Sequence, residues 1–185
     1  PEVVMRESPD AIVVATGADP VQVSIPGFDR ENVVPVRDVD SGRVKVSGNV
    51  VVCGGGSSGC ETALALAMDG CKVTIVEKGP IDSFAHGMTH ITRGMLIAQL
   101  ESNGIACLGE HVVLSVDDDG VHVGDSQWQE KVLKADFVVN ALGLRPTSAE
   151  PFVELIPEVH VVGDCNRIGN IYRANQSAFD CAMEL

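Results

Sequence analysis

An α/β fold built on a parallel sheet is predicted by three observations. Val50–Cys53 and Val73–Val76 are short apolar runs without polar alternation, as suits strands covered on both faces. Between them Gly54, Gly56 and Gly59 stand in the spacing G-x-G-x-x-G, followed by a helical stretch from about Ser58 to Met68 and an Asp69-Gly70 turn. Glu77 closes the second strand, about 20 residues beyond the glycines.

Each feature has a task in a dinucleotide-binding unit of the Rossmann-like kind. The first glycine makes the tight turn, the second lets backbone approach a pyrophosphate, and the third lets the helix pack closely on the strand. The helix N-terminus then turns its unpaired N–H groups toward the phosphates. Gly54, Gly55, Gly56, Ser57, Ser58 and Gly59 therefore form the candidate phosphate loop. Glu77 is the candidate acceptor for an adenosine ribose 2'-OH, and Lys78 beside it could neutralise a 2'-phosphate. A strand-end acid is fixed against the ribose, whereas a lysine in the next loop loses side-chain entropy to reach it. NAD(H) is the expected ligand.

The formal charge of −13 argues against a nucleic-acid partner, because a phosphate backbone would be repelled. A small dinucleotide still binds, since backbone N–H groups act locally. No apolar run reaches the roughly 20 residues of a membrane span, and the opening PEVVMRESPD lacks the pattern of a signal peptide. Cys53, Cys60, Cys71, Cys107, Cys165 and Cys181 contain no C-x-x-C pair. They read as free thiols in a reducing, cytoplasmic setting.

Along the chain, Asp10–Thr16 is a strand of the parallel type with few residues before it, so sequence upstream of Pro1 is expected to belong to the native protein. Val21–Gly42, punctuated by Pro and Gly, reads as a crossover rather than a packed element. Lys78–Gly87 reads as loop, and Met88–Ser102 as a helix with Ile91, Met95, Leu96 and Leu100 near helical spacing. Ile105–Leu108 returns as a strand, and Val112–Val116, Val121–Val123 and Val132–Ala135 form a small antiparallel meander. Asp82, His86 and His90 lie close in sequence, but a loop offers no helix face to hold them around a metal; they read as surface or pocket-edge residues. Asp136–Ala141 and Val159–Val162 are further parallel-type strands, and Asn175–Leu185 carries helical spacing. The strings VVATGADP and NALGLRP echo each other, placing Ala15, Thr16 and Gly17, and Gly143, at the ends of strands facing a ligand crevice.

Four segments in this order resemble the C-terminal part of the NADH:flavin oxidoreductases of the 2,4-dienoyl-CoA reductase, 2-enoate reductase and trimethylamine dehydrogenase type. They are Ala15–Gly17, VVVCGGGSSGCE from Val50, ALGLRP from Ala141 and VVGD at Val161–Asp164. That region is similar in turn to the two-dinucleotide fold of glutathione and thioredoxin reductases. The resemblance implies an NAD(H)-binding domain over residues 20–144, inserted in a partial FAD-binding domain formed by residues 1–19 and 145–185. It implies that Ala15, Thr16, Gly17, Gly163 and Asp164 lie near FAD, with Asp164 meeting the ribityl chain.

The family's first glycine motif, its 4Fe-4S cysteines and its FMN-carrying N-terminal barrel have no counterpart in these 185 residues. The resemblance accordingly implies weak or absent FAD binding by this chain alone, no complete reduction, and the barrel region of the same polypeptide as its partner. Exposed strand edges in the partial domain would favour homo-oligomers. In the parent, hydride would pass from NADH to FAD, then electrons through the iron-sulfur centre to FMN and an enoate or enoyl-CoA substrate; no acid–base residue is expected here. A pyridine-nucleotide disulfide reductase relative, and a non-catalytic ADP-binding module, are the alternatives.

Overall fold

In the computed structural model, which describes residues 1–185, the chain divides between two units, Pro1–Val21 with Leu144–Leu185, and Gln22–Gly143. The chain begins in the first with α1 (Glu2–Glu7), β1 (Ala11–Val14) and β2 (Ala18–Pro20). The second holds β3 (Val33–Pro35), α2 (Val36–Asp40), β4 (Asn49–Cys53), α3 (Ser57–Met68), β5 (Lys72–Val76), α4 (His90–Ser102) and β6 (Ala106–Leu108). It continues through β7 (His111–Val116), β8 (Val121–Asp125), β9 (Glu130–Leu133) and β10 (Phe137–Asn140). Returning to the first unit, the chain adds β11 (Leu144–Pro146), α5 (Glu150–Val153), β12 (Glu158–Val161) and α6 (Ile171–Glu184).

The second unit is a five-stranded sheet in the order β3-β10-β4-β5-β6, parallel throughout. Its central strand explains the unbroken apolar run. Val50 and Val52 point into a cluster with Cys60, Ala63, Leu66, Leu96 and Leu100 of the helices, while Val51 and Cys53 point into one with Val116, Val121 and Val123 of the meander. Successive side chains alternate between faces, and here both faces are covered. The meander β7-β8-β9 thus takes the place of a covering helix between β6 and β10.

Helices α3 and α4 end in the same way. Gly70 and Gly104 have φ of 92° and 70°, the left-handed geometry that glycine adopts without a Cβ penalty. Cys71 N–H then donates to Leu66 O at 2.9 Å, and Ile105 N–H to Leu100 O at 3.0 Å, with shorter-range bonds from Gly70 to Ala67 O and Gly104 to Glu101 O. These paired bonds satisfy the last helical carbonyls and release the chain directly into β5 and β6.

The stretch Val21–Gly42 is more than a crossover, which corrects the sequence reading. It contains the edge strand β3, with Val34 buried, and α2, which packs beside α3. Upstream of β3, Val116 N–H donates to Pro26 O at 2.9 Å and Phe28 packs on the meander cluster. The Pro and Gly punctuation hid a short strand whose pairing partner, β10, lies about a hundred positions later. Two smaller corrections concern Lys78–Gly87, which holds a 3-10 turn at Ile81–Ser83 and buries Phe84 and Ala85, and the last helix, which starts at Ile171.

In the first unit β1 pairs in parallel with β12 alone, matching Val14 to Val161. The Cys165 thiol sits within reach of Val14 O at 3.2 Å and Val162 O at 3.0 Å, and Gly163 N–H donates to Ser177 Oγ at 2.8 Å. The echoing strings meet: β2 and β11 form an antiparallel ribbon that matches Asp19 to Arg145. Two-stranded ribbons tolerate the prolines at Pro20 and Pro146 because each strand has a free edge.

Asp136 ties β10 to β4 at their amino ends. Its Oδ2 accepts Asn49 N–H at 2.7 Å and Asn49 Nδ2–H at 3.0 Å, and these bonds hold the carboxyl below its ordinary 3.8. A carboxyl depressed by folding stabilises the fold above its unfolded pKa, and that contribution disappears as pH falls through the folded value. Asp136→Asn should therefore lower the urea midpoint near pH ~6, and the difference from the unmodified chain should shrink toward pH ~3. Parallel urea titrations across that range check it; a difference independent of pH would show that the carboxylate's charge is not what Asn49 recognises.

Candidate functional site

The strand order reverses between β4 and β10: β5 and β6 continue on one side, β10 and β3 on the other. In an open parallel sheet, the crevice beyond the carboxyl ends of the strands at such a switch point is where ligands bind. The glycine loop leaves β4 there and Ala141–Gly143 leave β10 beside it. Gly54 N–H donates to Val76 O at 2.8 Å and Ala141 N–H to Cys53 O at 2.9 Å, so both loops are anchored to strand ends.

The glycines divide by what surrounds them. A Cβ on Gly54, whose φ is 115°, would fall within 2.3 Å of Ala141 O, and one on Gly59 within 2.0 Å of Gly54 O. Both positions are closed by backbone, which cannot yield. Gly55 is closed by side chains: its Cβ would lie 2.9 Å from Glu77 Cβ and 3.0 Å from Phe84 Cδ1. Gly56 alone in the loop is open, with His86 Cε1 the nearest atom to its Cβ position at 3.7 Å. Its missing side chain leaves bare backbone at the surface, the cradle that a pyrophosphate would fill.

Gly56 is also the N-cap of α3, with extended backbone and no side-chain cap. The first amide bond back into the helix is Cys60 N–H to Gly56 O at 3.0 Å, so the N–H groups of Ser57, Ser58 and Gly59 keep no backbone acceptor. Three free donors and the positive end of the helix dipole meet over the open glycine. Ser57 Oγ–H is committed to His86 O at 2.9 Å, which leaves its amide free for a ligand. The residues present fit a dinucleotide pyrophosphate.

Glu77 braces two loops, a structural task that sequence reading missed. Oε2 accepts Gly55 N–H and Oε1 accepts Gly79 N–H, both at 2.8 Å. One carboxylate thus braces the loops that follow β4 and β5. Each oxygen retains a further lone pair, so the group can hold the loops and still receive ribose hydroxyls. Lys78 is exposed and makes no ion pair, while Arg93 is committed elsewhere: Nε donates to Phe84 O at 2.8 Å and Nη2 to Asp82 O at 2.7 Å.

Of the remaining candidates, Gly143 has φ of 105° and nothing near its Cβ position, and it lies past β10 on the far side of the switch point. Pairing of β1 with β12 brings Ala15–Gly17 and Gly163–Asp164 to one end of the two-stranded sheet in the first unit. There Asp164 Oδ1 accepts Gly169 N–H at 3.1 Å. A separate cleft of about 450 Å³ at the amino end of β4 is lined by Asp118, Asp119 and Asp136 with Lys134 as its one cation, a net negative lining that disfavours a phosphate. Among the thiols, burial pushes Cys53 up to about 12 and Cys60 up to about 11, so neither supplies a thiolate at neutral pH.

A five-stranded parallel sheet with a glycine loop and strand-end acid at its switch point defines a Rossmann-like NAD(H)/FAD-type dinucleotide-binding module. Residues 6–155 match the model of the pyridine nucleotide-disulphide oxidoreductase family, and the chain belongs to that family. It is 35% identical to an NADH oxidase of Thermoanaerobacter brockii across 100% of this chain and 29% of the relative. Cinnamate reductase of Clostridium sporogenes is 32% identical over 95% of this chain and 26% of its own length. Among solved structures, a 2-naphthoyl-CoA reductase bound to 2-naphthoyl-CoA superposes with a TM-score of 0.89 at 26% identity, covering 100% of this chain and 28% of that one. Thioredoxin reductase of T. acidophilum shares the fold, with a TM-score of 0.74 at 18% identity over 94% of this chain and 64% of that chain. The chain thus spans less than a third of the curated relatives it matches. No helix is long and apolar enough to cross a membrane.

The glycine geometry separates folding from binding. Gly56→Ala adds a Cβ in ordinary contact, so stability should stay within about 0.5 kcal/mol while NADH binding weakens at least about tenfold. Gly59→Ala drives a Cβ into backbone and should lose both. Thermal melts with NADH titrations distinguish the two variants, and a Gly56→Ala chain that binds NADH normally would place the pyrophosphate elsewhere.

Proposed function

We propose that Gln22–Gly143 is the NAD(H)-binding domain of a flavin-dependent oxidoreductase, and that the first unit forms part of its FAD-binding domain. The observation that carries this reading is the open Gly56 between three free N–H groups and a ribose-side carboxylate. Gly54 and Gly59 shape the turn, Ser57, Ser58 and Gly59 direct donors at the pyrophosphate, and Glu77 receives the adenosine ribose. Gly143 borders the crevice. Ala15, Thr16, Gly17, Gly163 and Asp164 face the flavin, Asp164 with its uncommitted oxygen toward ribityl hydroxyls.

When bound, the nicotinamide and flavin supply hydride transfer; the protein's part is to orient them and to exclude water. The whole protein would then pass electrons through an iron-sulfur centre to FMN, and on to an α,β-unsaturated acid or thioester. Cinnamate reductase and 2-naphthoyl-CoA reductase, whose names carry conjugated acid and thioester substrates, support that substrate class. A disulfide reductase relative is the second reading, favoured by the family match itself. It calls for a reactive dithiol, and since the six cysteines here include no C-x-x-C or C-x-x-x-x-C pair, that dithiol would belong to the part of the whole protein outside these 185 residues. Mass spectrometry of ligands released from the full-length protein tests the choice: FAD with FMN and iron supports the first reading, FAD alone the second, and ADP without flavin would overturn both.

Glu77 also sets nucleotide choice. A 2'-phosphate would meet a carboxylate that the two loop amides hold in place, so NADH should bind at least about tenfold tighter than NADPH, about 1.4 kcal/mol. Glu77→Ala removes the brace as well as the charge. It should cost about 1–3 kcal/mol of stability through the orphaned amides of Gly55 and Gly79, and should weaken NADH while narrowing its advantage over NADPH. Calorimetric titration with both nucleotides checks this; equal or reversed affinities in the unmodified chain would show that Lys78 or another basic residue, and not Glu77, governs the pocket.

A further inference from the structure

We propose that His86 is a pyrophosphate-binding residue of the dinucleotide site, carried there by a strap formed by Ile81–His86. The proposal rests on the nucleotide reading above and extends it to a side chain outside the glycine motif.

The strap is fastened across the glycine loop at each step. Phe84 is buried with its ring against Gly55, close enough that a Cβ there would lie 3.0 Å from Cδ1. Ala85 N–H donates to Gly55 O at 2.8 Å, and His86 O accepts the Ser57 hydroxyl at 2.9 Å. From the other side, Arg93 clamps the carbonyls of Asp82 and Phe84 with two hydrogen bonds from one guanidinium. Ser83 N–H and Phe84 N–H close the turn on Pro80 O and Ile81 O.

Ala85 is the pivot. It is fully buried with φ of 52°, a left-handed conformation that a residue with a Cβ rarely adopts and that persists only where its surroundings impose it. The reversal carries the chain from buried Phe84 to exposed His86 in two residues, and it sets the imidazole 3.7 Å from the Cβ position of Gly56. Neither ring nitrogen has a protein partner, whereas the backbone of the same residue is bonded to the loop. An imidazole, neutral or protonated, always has an N–H to donate. A ligand that uses the amides at the start of α3 would lie beside Gly56 and so next to that ring. The strap therefore borders the cradle at Gly56, and His86 adds a side-chain donor to the three amides. In a chain of formal charge −13, such a donor offsets part of the repulsion that a pyrophosphate meets.

Binding of NADH, ADP-ribose and adenosine to the 185-residue chain and to His86→Ala and His86→Gln tests this, with thermal melts beside each titration. His86→Ala should weaken NADH and ADP-ribose by the same factor, about tenfold, leave adenosine and the melting temperature unchanged, and be largely rescued by His86→Gln, whose amide also donates. Unaltered NADH affinity in His86→Ala, a loss seen equally with adenosine, or a loss with NADH alone would overturn the role of His86 and leave the nucleotide site standing. Failure of the unmodified chain to bind either NADH or ADP-ribose would overturn the site and this inference together.

Discussion

The two hydrogen bonds from Gly55 and Gly79 to the Glu77 carboxylate are the constraint on which the candidate site depends. β4 and β5 are neighbours in register, Cys53 beside Val76, so the loops that leave them emerge side by side with amides and no strand partners. A carboxylate on the last turn of one strand satisfies an amide from each. The bonds are charge-assisted, which makes them stronger than neutral ones. They also fix where the negative charge lies, and so one residue governs loop shape and the electrostatics at the mouth of the crevice. A substitution at Glu77 cannot remove that charge without also releasing the two loop amides.

The position of that brace is set by how the sheet is buried. β4 contributes Val50 and Val52 to the helical layer and Val51 and Cys53 to the meander layer, all four essentially without solvent. A strand held on both faces and by two parallel neighbours delivers its carboxyl end with little freedom. Close approach of backbone then does the rest: Gly59 against Gly54, and Gly54 against Ala141, leave no space for a side chain. The open position, Gly56, stands out because every other glycine of the loop is closed. Such a loop would suit a phosphorylated ligand even in a chain of net charge −13, since amides and a helix end act over a few ångströms.

The loop after β5 illustrates a different use of packing. Nothing in Lys78–Gly87 has the period of a helix or strand, yet Phe84 and Ala85 are as buried as the sheet core. Their burial is obtained against the glycine loop, whose lack of side chains makes room for the phenyl ring. A residue type that frees the backbone in one loop thereby creates the seat for an aromatic from another, and Arg93 of α4 fastens the arrangement through two carbonyls.

Local pattern alone determined the α/β fold class, the β4-α3-β5 unit and the antiparallel meander, and it marked the candidate phosphate loop, because each depends on contacts or spacings within about 30 residues. Gly70 and Gly104 marked their helix ends for the same reason: a left-handed C-terminal residue is a local requirement. The tertiary structure decided what depends on distant partners. β3 is a three-residue strand with no signal of its own, and it exists because β10 pairs with it. The ribbon of β2 and β11 joins two strings that sequence could only show to be alike. Gly55 was legible as a loop member, but its need to be glycine comes from Glu77 and Phe84. His86 was readable as a residue at a pocket edge; its place over Gly56 is decided by a reversed alanine, a buried phenyl ring and an arginine from the next helix, a combination with no linear signature.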